Sequence, residues 1–335
     1  MNKIGEVLLG SIFTTSDTQH WLIPVLLVLA MISWFLWKQS KKRLRHIFFL
    51  GLLLSLIGVT VKSTTVVSST LSDLFTNNET TTTSGSAAKK KQAAKKAALK
   101  KQLLAAWQSV GQEYTSQYSI AILNADGQEV SYTTTDSTFS TASIVKVSIA
   151  AQLLHNNGTT QTTLSTTQAN LLTAMIENSD NDAATSLLTN DLGGYSSLSS
   201  TYQALDMNDT TANADAWGYT QTTAEDQIKL LSTIFGTADY LTTNSQDYLQ
   251  SLMNTISADQ AWGISQGATN YYLKNGWLQD EDGWMVNSIG KVELGDDESY
   301  LIAILTKENT TFEEGQTLIE ALTEQTNSVL SSSDE

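Results

Sequence analysis

The chain has 335 residues and no cysteine, which excludes disulfide bonds and thiolate metal sites. Its three histidines leave almost no material for a Ser-His-Asp triad or a histidine metal site, and we expect neither a metal nor another cofactor. Charge is divided unevenly, because residues 102–335 hold five lysines, no arginine and 30 acidic residues, a net charge of −25. So acidic a region is a poor binder of nucleic acid, which we exclude as a partner.

Two apolar runs near the N-terminus predict a membrane anchor with two transmembrane helices, at about residues 21–37 and 47–62. The segment between them carries five basic residues, which the positive-inside rule keeps in the cytoplasm. We therefore predict that residues 1–62 form the anchor and that the rest of the chain lies outside the cell. A cleaved secretory signal is the alternative, but a clear small-residue cleavage site is missing.

The next two segments differ in composition. Residues 63–86 are rich in serine and threonine, which predicts a disordered or extended tether. Residues 87–102 are rich in alanine and lysine, which predicts a helical spacer. The seven lysines of residues 89–101 are candidates for contact with anionic lipid heads or an anionic wall polymer, and a plain solvated spacer is the alternative.

Residues 103–335 have the pattern of one globular domain. Residues 118–132 predict a β-hairpin with an Asp-Gly turn, and a mainly helical stretch follows. Strand patterns return at residues 271–278, 284–292 and 300–306 before a closing helix. This order predicts an α+β fold, with an antiparallel sheet built from both ends of the domain, flanked by helices, and an all-helical subdomain inserted between them.

A serine and a lysine stand three residues apart where an apolar, helix-length run begins. Residues three apart share one helix face, so Ser143 and Lys146 would be neighbours. A hydroxyl beside an amine forms a nucleophile and a base, and the N-terminus of a helix favours a developing oxyanion. The pair alone also fits an ordinary amphipathic helix.

Two later motifs make the pattern specific. Residues 179–181 read Ser-Asp-Asn, and residues 274–277 read Lys-Asn-Gly-Trp on a predicted strand. Together with Ser-x-x-Lys, in this order, they match the signature of class A β-lactamases and penicillin-binding proteins. The chain resembles the penicillin-recognising serine hydrolases, above all class A β-lactamase-like proteins of the membrane-anchored type of Gram-positive bacteria. The resemblance implies the class A β-lactamase/transpeptidase-like fold.

The resemblance also implies roles for individual residues. Ser143 would be the acylated nucleophile, Lys146 would help to deprotonate it, and Ser179 would pass a proton to the leaving nitrogen. Lys274 would raise the positive potential of the cleft.

Four further residues would bind substrate. Asn181 would bind the amide side chain of the substrate, and Asn275 would donate to a substrate carboxylate in place of the usual threonine or serine. Gly276 and Trp277 continue this strand, and the backbone N–H groups of Trp277 and Ser143 would hold the oxyanion.

The chain also departs from the family pattern. No Glu-x-x-Leu-Asn segment, which supplies the base for deacylation, lies between Asn181 and Lys274. The corresponding loop, residues 206–217, offers only Asp206, Asp209 and Asp215, none in the matching context. The guanidinium that usually clamps the antibiotic carboxylate is missing too.

We therefore expect an extracytoplasmic serine hydrolase of the cell membrane, with its catalytic domain extracellular. It would form an acyl-enzyme at Ser143 from peptidoglycan peptides or a related amide or ester, with weak or no turnover of β-lactams. The alternatives are a true β-lactamase, and a non-catalytic wall-binding or sensor domain that retains the fold.

Overall fold

The computed structural model describes residues 79–295 and 298–332, so the predicted spans at 21–37 and 47–62 lie outside the described residues. None of the helices formed by the described residues is long and apolar enough to cross a membrane. Residues 88–335 form one compact unit, to which the sheet and the site described below belong.

The first described element is a long helix, α1, at Glu79–Gly111. It includes residues 79–86, which we predicted as tether, and the whole of the predicted spacer. Leu99, Leu103 and Trp107 recur every four residues on one face of α1, and all three are buried against the sheet. The indole nitrogen of Trp107 also donates to Thr326 Oγ1 over 2.9 Å. The C-terminal half of α1 is therefore part of the domain core.

Five antiparallel strands form the main sheet, in the order β2-β1-β7-β6-β5. The first two strands along the chain pair through β1 with the last strand, so both ends of the domain build the sheet, as predicted. β5 is left at one edge, which is where the site lies. The strand bounds are β1 Gln117–Asn124, β2 Glu129–Thr133, β5 Asn270–Asp280, β6 Gly283–Glu293 and β7 Ser299–Asn309.

Both faces of the sheet are covered, and the alternation of side chains along β7 shows this directly. Ala303 and Leu305 belong to the core shared with the helical subdomain. Ile302 and Ile304 point the other way, into the core shared with α1 and the C-terminal helix. Each face of the sheet thus has its own apolar core.

The middle of the chain forms the helical subdomain, and the C-terminal helix packs on the opposite face of the sheet. Short polar side chains cap several helices, including Ser165, which forms a capping box with Gln168. The remaining bounds are β3 Phe139–Ser140, α2 Val145–Thr160, α3 Thr166–Glu177, α4 Asn181–Ser186, α5 Leu198–Ala204, β4 Gln221–Thr222, α6 Ala224–Phe235, α7 Thr243–Asn254 and α8 Phe312–Ser332.

Candidate active site

Ser143 lies in a 3₁₀ turn, Ala142–Ile144, that leads directly into α2. The residue before it, Ala142, has a φ of 47°, a left-handed conformation that is strained for a residue with a side chain. Its neighbours on both sides are buried, while Ser143 itself is partly exposed. The turn therefore presents one hydroxyl at the surface of an otherwise buried backbone.

Strand β5 runs against the backbone of this turn. A Cβ atom on Gly276 would lie 2.5 Å from the Ser143 nitrogen and 2.7 Å from the Ile144 nitrogen, so only glycine fits here. This approach brings the backbone of the next residue, Trp277, beside the nucleophile. Two backbone N–H groups at such a position are the donors that an oxyanion needs.

Lys146 is fully buried one helical turn after the nucleophile. Its Nζ lies 2.6 Å from the Ser179 carbonyl oxygen and 2.7 Å from Asn181 Oδ1, two atoms that only accept hydrogen bonds. These two contacts use two N–H bonds, and the hydroxyls of Ser143 and Ser179 lie within reach of the rest of the amine, at 2.8 Å and 3.1 Å. A neutral amine, with two N–H bonds and one lone pair, fits this arrangement as a base for the Ser143 hydroxyl.

Ser179 joins the two lysines. Its Oγ lies 3.1 Å from Lys146 Nζ and 2.9 Å from Lys274 Nζ, and its own φ is 56°. Lys274 also donates to the Asn275 carbonyl oxygen over 2.8 Å. A rotating hydroxyl between two amines provides a short path for a proton.

Burial changes the acidity of both lysines. It lowers the pKa of Lys146 to about 8, although the carboxylate of Asp180 acts in the opposite direction. Burial, and then the neighbouring charge of Lys146, hold the pKa of Lys274 well below its usual value. Both shifts favour neutral amines, which can accept protons near neutral pH.

The structure brings together the predicted residues Ser143, Lys146, Ser179, Asn181 and Lys274, but it gives the side chain of Asn275 a different place. Asn275 Nδ2 donates both its hydrogens to backbone carbonyls, of Gln260 over 2.8 Å and of Trp262 over 3.0 Å. The expected donation to a substrate carboxylate therefore has no hydrogen left. The reason is strand alternation, since Lys274 and Asn275 point to opposite faces of the sheet.

The ring of Trp277 packs behind the site. Its indole packs 5.9 Å from the ring of Trp262 and 5.5 Å from that of Phe312, measured between centroids, on the same face of the sheet as Asn275. The ring therefore supports the edge of the sheet behind the site.

Asn287 on β6 is a positioning residue that our sequence analysis missed. It is fully buried, and its Nδ2 donates to the carbonyls of Ser140 and Thr141 over 2.8 and 3.0 Å, while its Oδ1 accepts from the backbone N–H of Thr306. The amide thus fixes the chain just before the nucleophile. An asparagine inside an otherwise buried strand was the signal available in the sequence.

The acids of the loop 206–217 take no position at the nucleophile. The carbonyl of Asp206 accepts from Lys229, and the backbone N–H of Asp209 donates to the buried carboxylate of Asp226. Asp215 is exposed, and its N–H donates to the side chain of Asn213. These contacts are made by the backbones of the three residues, and they shape the loop.

Trp217 occupies the side of the loop that faces the lysine. Its ring centroid lies 5.1 Å from Lys146 Nζ, and its indole nitrogen donates to Thr185 Oγ1 over 3.2 Å. The next residue, Gly218, packs against the turn, since its carbonyl accepts from Thr141 Oγ1 over 3.3 Å. An aromatic ring, rather than an acid, therefore stands beside the base.

Within residues 79–295 and 298–332, no group of three or more histidine, cysteine, aspartate or glutamate side chains is placed to hold a metal ion. The residues described above form a site built from hydroxyls, amines, amides and backbone N–H groups. Such a set is suited to acyl transfer to a serine.

Comparison with known proteins places the chain among related sequences. Residues 155–330 match the family model described as Beta-lactamase enzyme family. The matched segment contains Ser179, Asn181 and Lys274, and it begins 12 residues after Ser143. No curated protein matches the chain by sequence.

Solved structures resemble about 70% of the chain. A class A beta-lactamase from Bacteroides cellulosilyticus DSM 14838 is similar, with a TM-score of 0.62, 18% identity, and coverage of 70% of this chain and 99% of that one. A PBP-A mutant in an acyl-enzyme complex with penicillin G has a TM-score of 0.60 and 20% identity, and the match covers 69% of this chain and 97% of that one. A beta-lactamase from Xanthomonas campestris pv. campestris has a TM-score of 0.58 and 16% identity, and the match covers 69% of this chain and 98% of that one. These similarities confirm the predicted class A β-lactamase-like fold.

Proposed function

Since this chain belongs to the beta-lactamase enzyme family and is a serine hydrolase, we propose that it acylates Ser143 with peptidoglycan peptides or related amides or esters and releases the acyl group slowly. The observation that carries the proposal is the set of contacts around Lys146. Two acceptors take N–H bonds of the amine, and the hydroxyl oxygens of Ser143 at 2.8 Å and Ser179 at 3.1 Å are its other two contacts. This is the geometry of a serine with its base in place.

The acylation step follows from these contacts. Ser143 Oγ attacks the substrate carbonyl carbon while its proton passes to Lys146 Nζ, and the oxyanion forms beside the backbone N–H groups of Ser143 and Trp277. The bond from the carbonyl carbon to the leaving atom then breaks. Ser179 Oγ gives its proton to the leaving atom and recovers one from Lys146, which lies 3.1 Å away. The acyl group stays on Ser143 as an ester.

Release of that ester needs a water molecule and a base to activate it. In the loop 206–217 the backbones of Asp206, Asp209 and Asp215 make local contacts, and the ring of Trp217 stands 5.1 Å from Lys146 Nζ. These contacts support the proposal that the loop supplies no base for deacylation. A general base typically contributes about 10²- to 10⁴-fold to a rate, so hydrolysis of a β-lactam adduct would be slow or absent.

We place the catalytic domain outside the cell, attached to the membrane by the two apolar runs of residues 1–62, in the manner of a Gram-positive anchored protein. The basic residues between the runs support this orientation. We further propose that the lysines of residues 89–101 contact an anionic wall polymer or lipid heads. Six of these seven lysines are exposed along α1, which supports such a contact.

The test is intact-mass measurement of the full chain after mixing with penicillin, followed over time. A persistent adduct that is absent in Ser143→Ala supports the proposal. An adduct that forms and disappears with repeated turnover would identify a β-lactamase instead. The absence of any adduct, with penicillin or with a simple thioester, would favour a non-catalytic wall-binding or sensor domain.

A further inference from the structure

The leaving group of any substrate has a defined neighbourhood in this site. Ser179 Oγ must reach the leaving atom to protonate it, and this hydroxyl lies 2.9 Å from Lys274 Nζ. Lys274 in turn bonds to the carbonyl of Asn275. Whatever extends beyond the leaving atom therefore lies toward Lys274 and Asn275.

Both residues already bond to groups of the fold there. Lys274 is fully buried, and its Nζ already bonds to Ser179 Oγ and to a backbone carbonyl. Burial and the adjacent Lys146 lower the pKa of Lys274, which favours its neutral form. Asn275 has given both amide hydrogens to Gln260 and Trp262, and a flipped amide would set its oxygen against two carbonyl oxygens.

The other cations of the domain are engaged elsewhere. Lys229 pairs with Asp226 and Lys291 pairs with Glu293, both at 2.6 Å. Lys307 bonds to Ser137 and to a backbone carbonyl. The lysines of α1 lie with that helix on the other face of the sheet, where its apolar side chains pack. Residues 102–335 contain no arginine.

Negative charge, by contrast, stands at the site. Asp180 and Asp182 are exposed on either side of Asn181, whose side chain bonds to Lys146. Residues 102–335 carry a net charge of −25. A carboxylate that enters such a site loses its hydration and meets repulsion, with no new partner in return.

We propose that this site selects substrates that are uncharged on the leaving side: an internal peptide bond, an amidated terminus or a neutral ester, rather than a terminus with a free carboxylate. The proposal rests on the acyl-enzyme at Ser143 described above. It defines the reaction as cleavage or transfer within a peptide or ester, in which the bond from the acyl carbon to the leaving atom breaks and Ser179 protonates that atom. Removal of a terminal amino acid is disfavoured.

A matched pair of thioesters tests the proposal. Both carry the same acylglycyl group, with thioglycolate as the leaving group in one and thioglycolamide in the other, so they differ in one negative charge. The full chain in detergent is mixed with each, and the rate of Ser143 acylation is read by intact mass. Each rate is divided by the rate of hydroxide hydrolysis of the same thioester, which corrects for leaving-group acidity.

We expect the carboxamide to acylate Ser143 about tenfold faster or more after this correction. Added salt should raise the rate of the carboxylate thioester and leave the other unchanged, because salt screens the repulsion. The salt series needs no variant, so it does not depend on the folding of an altered chain.

The outcomes separate this inference from the proposed function. A carboxylate thioester that reacts equally fast or faster overturns the selectivity and leaves the acyl-enzyme standing. Acylation by penicillin, which bears a free carboxylate, but by neither thioester also overturns it. No acylation by any of the three reagents removes the proposed function, and the inference falls with it.

Discussion

The two sides of the cleft treat their polar groups in opposite ways. On the side of Ser143, buried amines and hydroxyls bond to one another, and Lys146 is fully buried without a carboxylate partner. On the side of the loop 206–217, the buried carboxylate of Asp226 is fully paired by Lys229, Asp209 and Thr210. A buried amine without a carboxylate partner has a lowered pKa and can act as a base, whereas a carboxylate that is fully paired serves to hold the loop in shape. We propose that the first side serves acylation and that the second supplies no base for release.

The largest expected effect is on acylation, when Ser143 or Lys146 is replaced. Ser143→Ala should abolish acylation, and Lys146→Ala should lower its rate by about 10²- to 10⁴-fold, because the base is removed. Both are measured by intact mass with penicillin or the carboxamide thioester. Lys291→Ala is the matched control, since this lysine pairs with Glu293 away from the site, and it should acylate normally. Normal acylation by Lys146→Ala would transfer the role of base to another group.

A pH series sharpens the same comparison. The pKa of Lys146 is lowered to about 8 and the neutral amine is the active form, so activity should rise with pH. The neutral fraction is about 0.09 at pH 7, about 0.5 at pH 8 and about 0.91 at pH 9, which predicts roughly a tenfold increase in acylation rate from pH 7 to 9. The rate is measured with the carboxamide thioester, which does not itself titrate in this range. A rate that falls with rising pH would contradict the base assignment.

The third prediction concerns the loop 206–217, where Trp217 stands beside Lys146. Trp217→Ala removes the ring beside Lys146 and admits water, so release of a penicillin adduct should accelerate severalfold. Trp217→Phe keeps a ring and is the matched control, with release close to that of the parent. The lifetime of the adduct is measured by intact mass after removal of free penicillin. Equal lifetimes in all three proteins would mean that the ring does not protect the ester.

Local pattern and motif order predicted much of this arrangement. Alternation of side chains predicted the strands, and the family resemblance carried by the three motifs predicted that Ser143, Lys146, Ser179 and Lys274 would lie together. The direction of Asn275 was not predictable in the same way, because its partners come from the segment before β5 and are recruited only by tertiary packing. Asn287 acts on a turn 146 residues earlier in the chain, which no local pattern contains.

The beginning of the domain shows a different kind of gap. Composition predicted a helical spacer, and helix propensity is sufficient for the helix itself. The stripe of Leu99, Leu103 and Trp107 at intervals of four was present in the sequence, and it marks a buried face. The alanine and lysine content of residues 87–102 led to their assignment as a spacer, separate from the domain whose core this helix joins.

The smallest expected effect concerns stability, and it follows from the amine on the reactive side. Lys274 is fully buried with a lowered pKa, so burial in the folded state disfavours the protonated amine that the unfolded chain carries in water. Lys274→Met replaces it with an apolar chain of similar length and should raise the free energy of unfolding by about 1–3 kcal/mol at pH 7. Acylation should be lost or strongly reduced in the same variant, because Ser179 loses its partner.

The pH dependence of this gain gives the decisive control. Above the lowered pKa, the unfolded parent binds more protons at Lys274 than the folded parent does, so stability of the parent rises with pH until the ordinary lysine pKa near 10.5. Lys274→Met lacks this titration, and its advantage should shrink between pH 7 and pH 10. Urea unfolding at both values measures the difference. An advantage that grows with pH, or a variant less stable at pH 7, would mean that hydrogen bonds of Lys274 outweigh the burial of its amine.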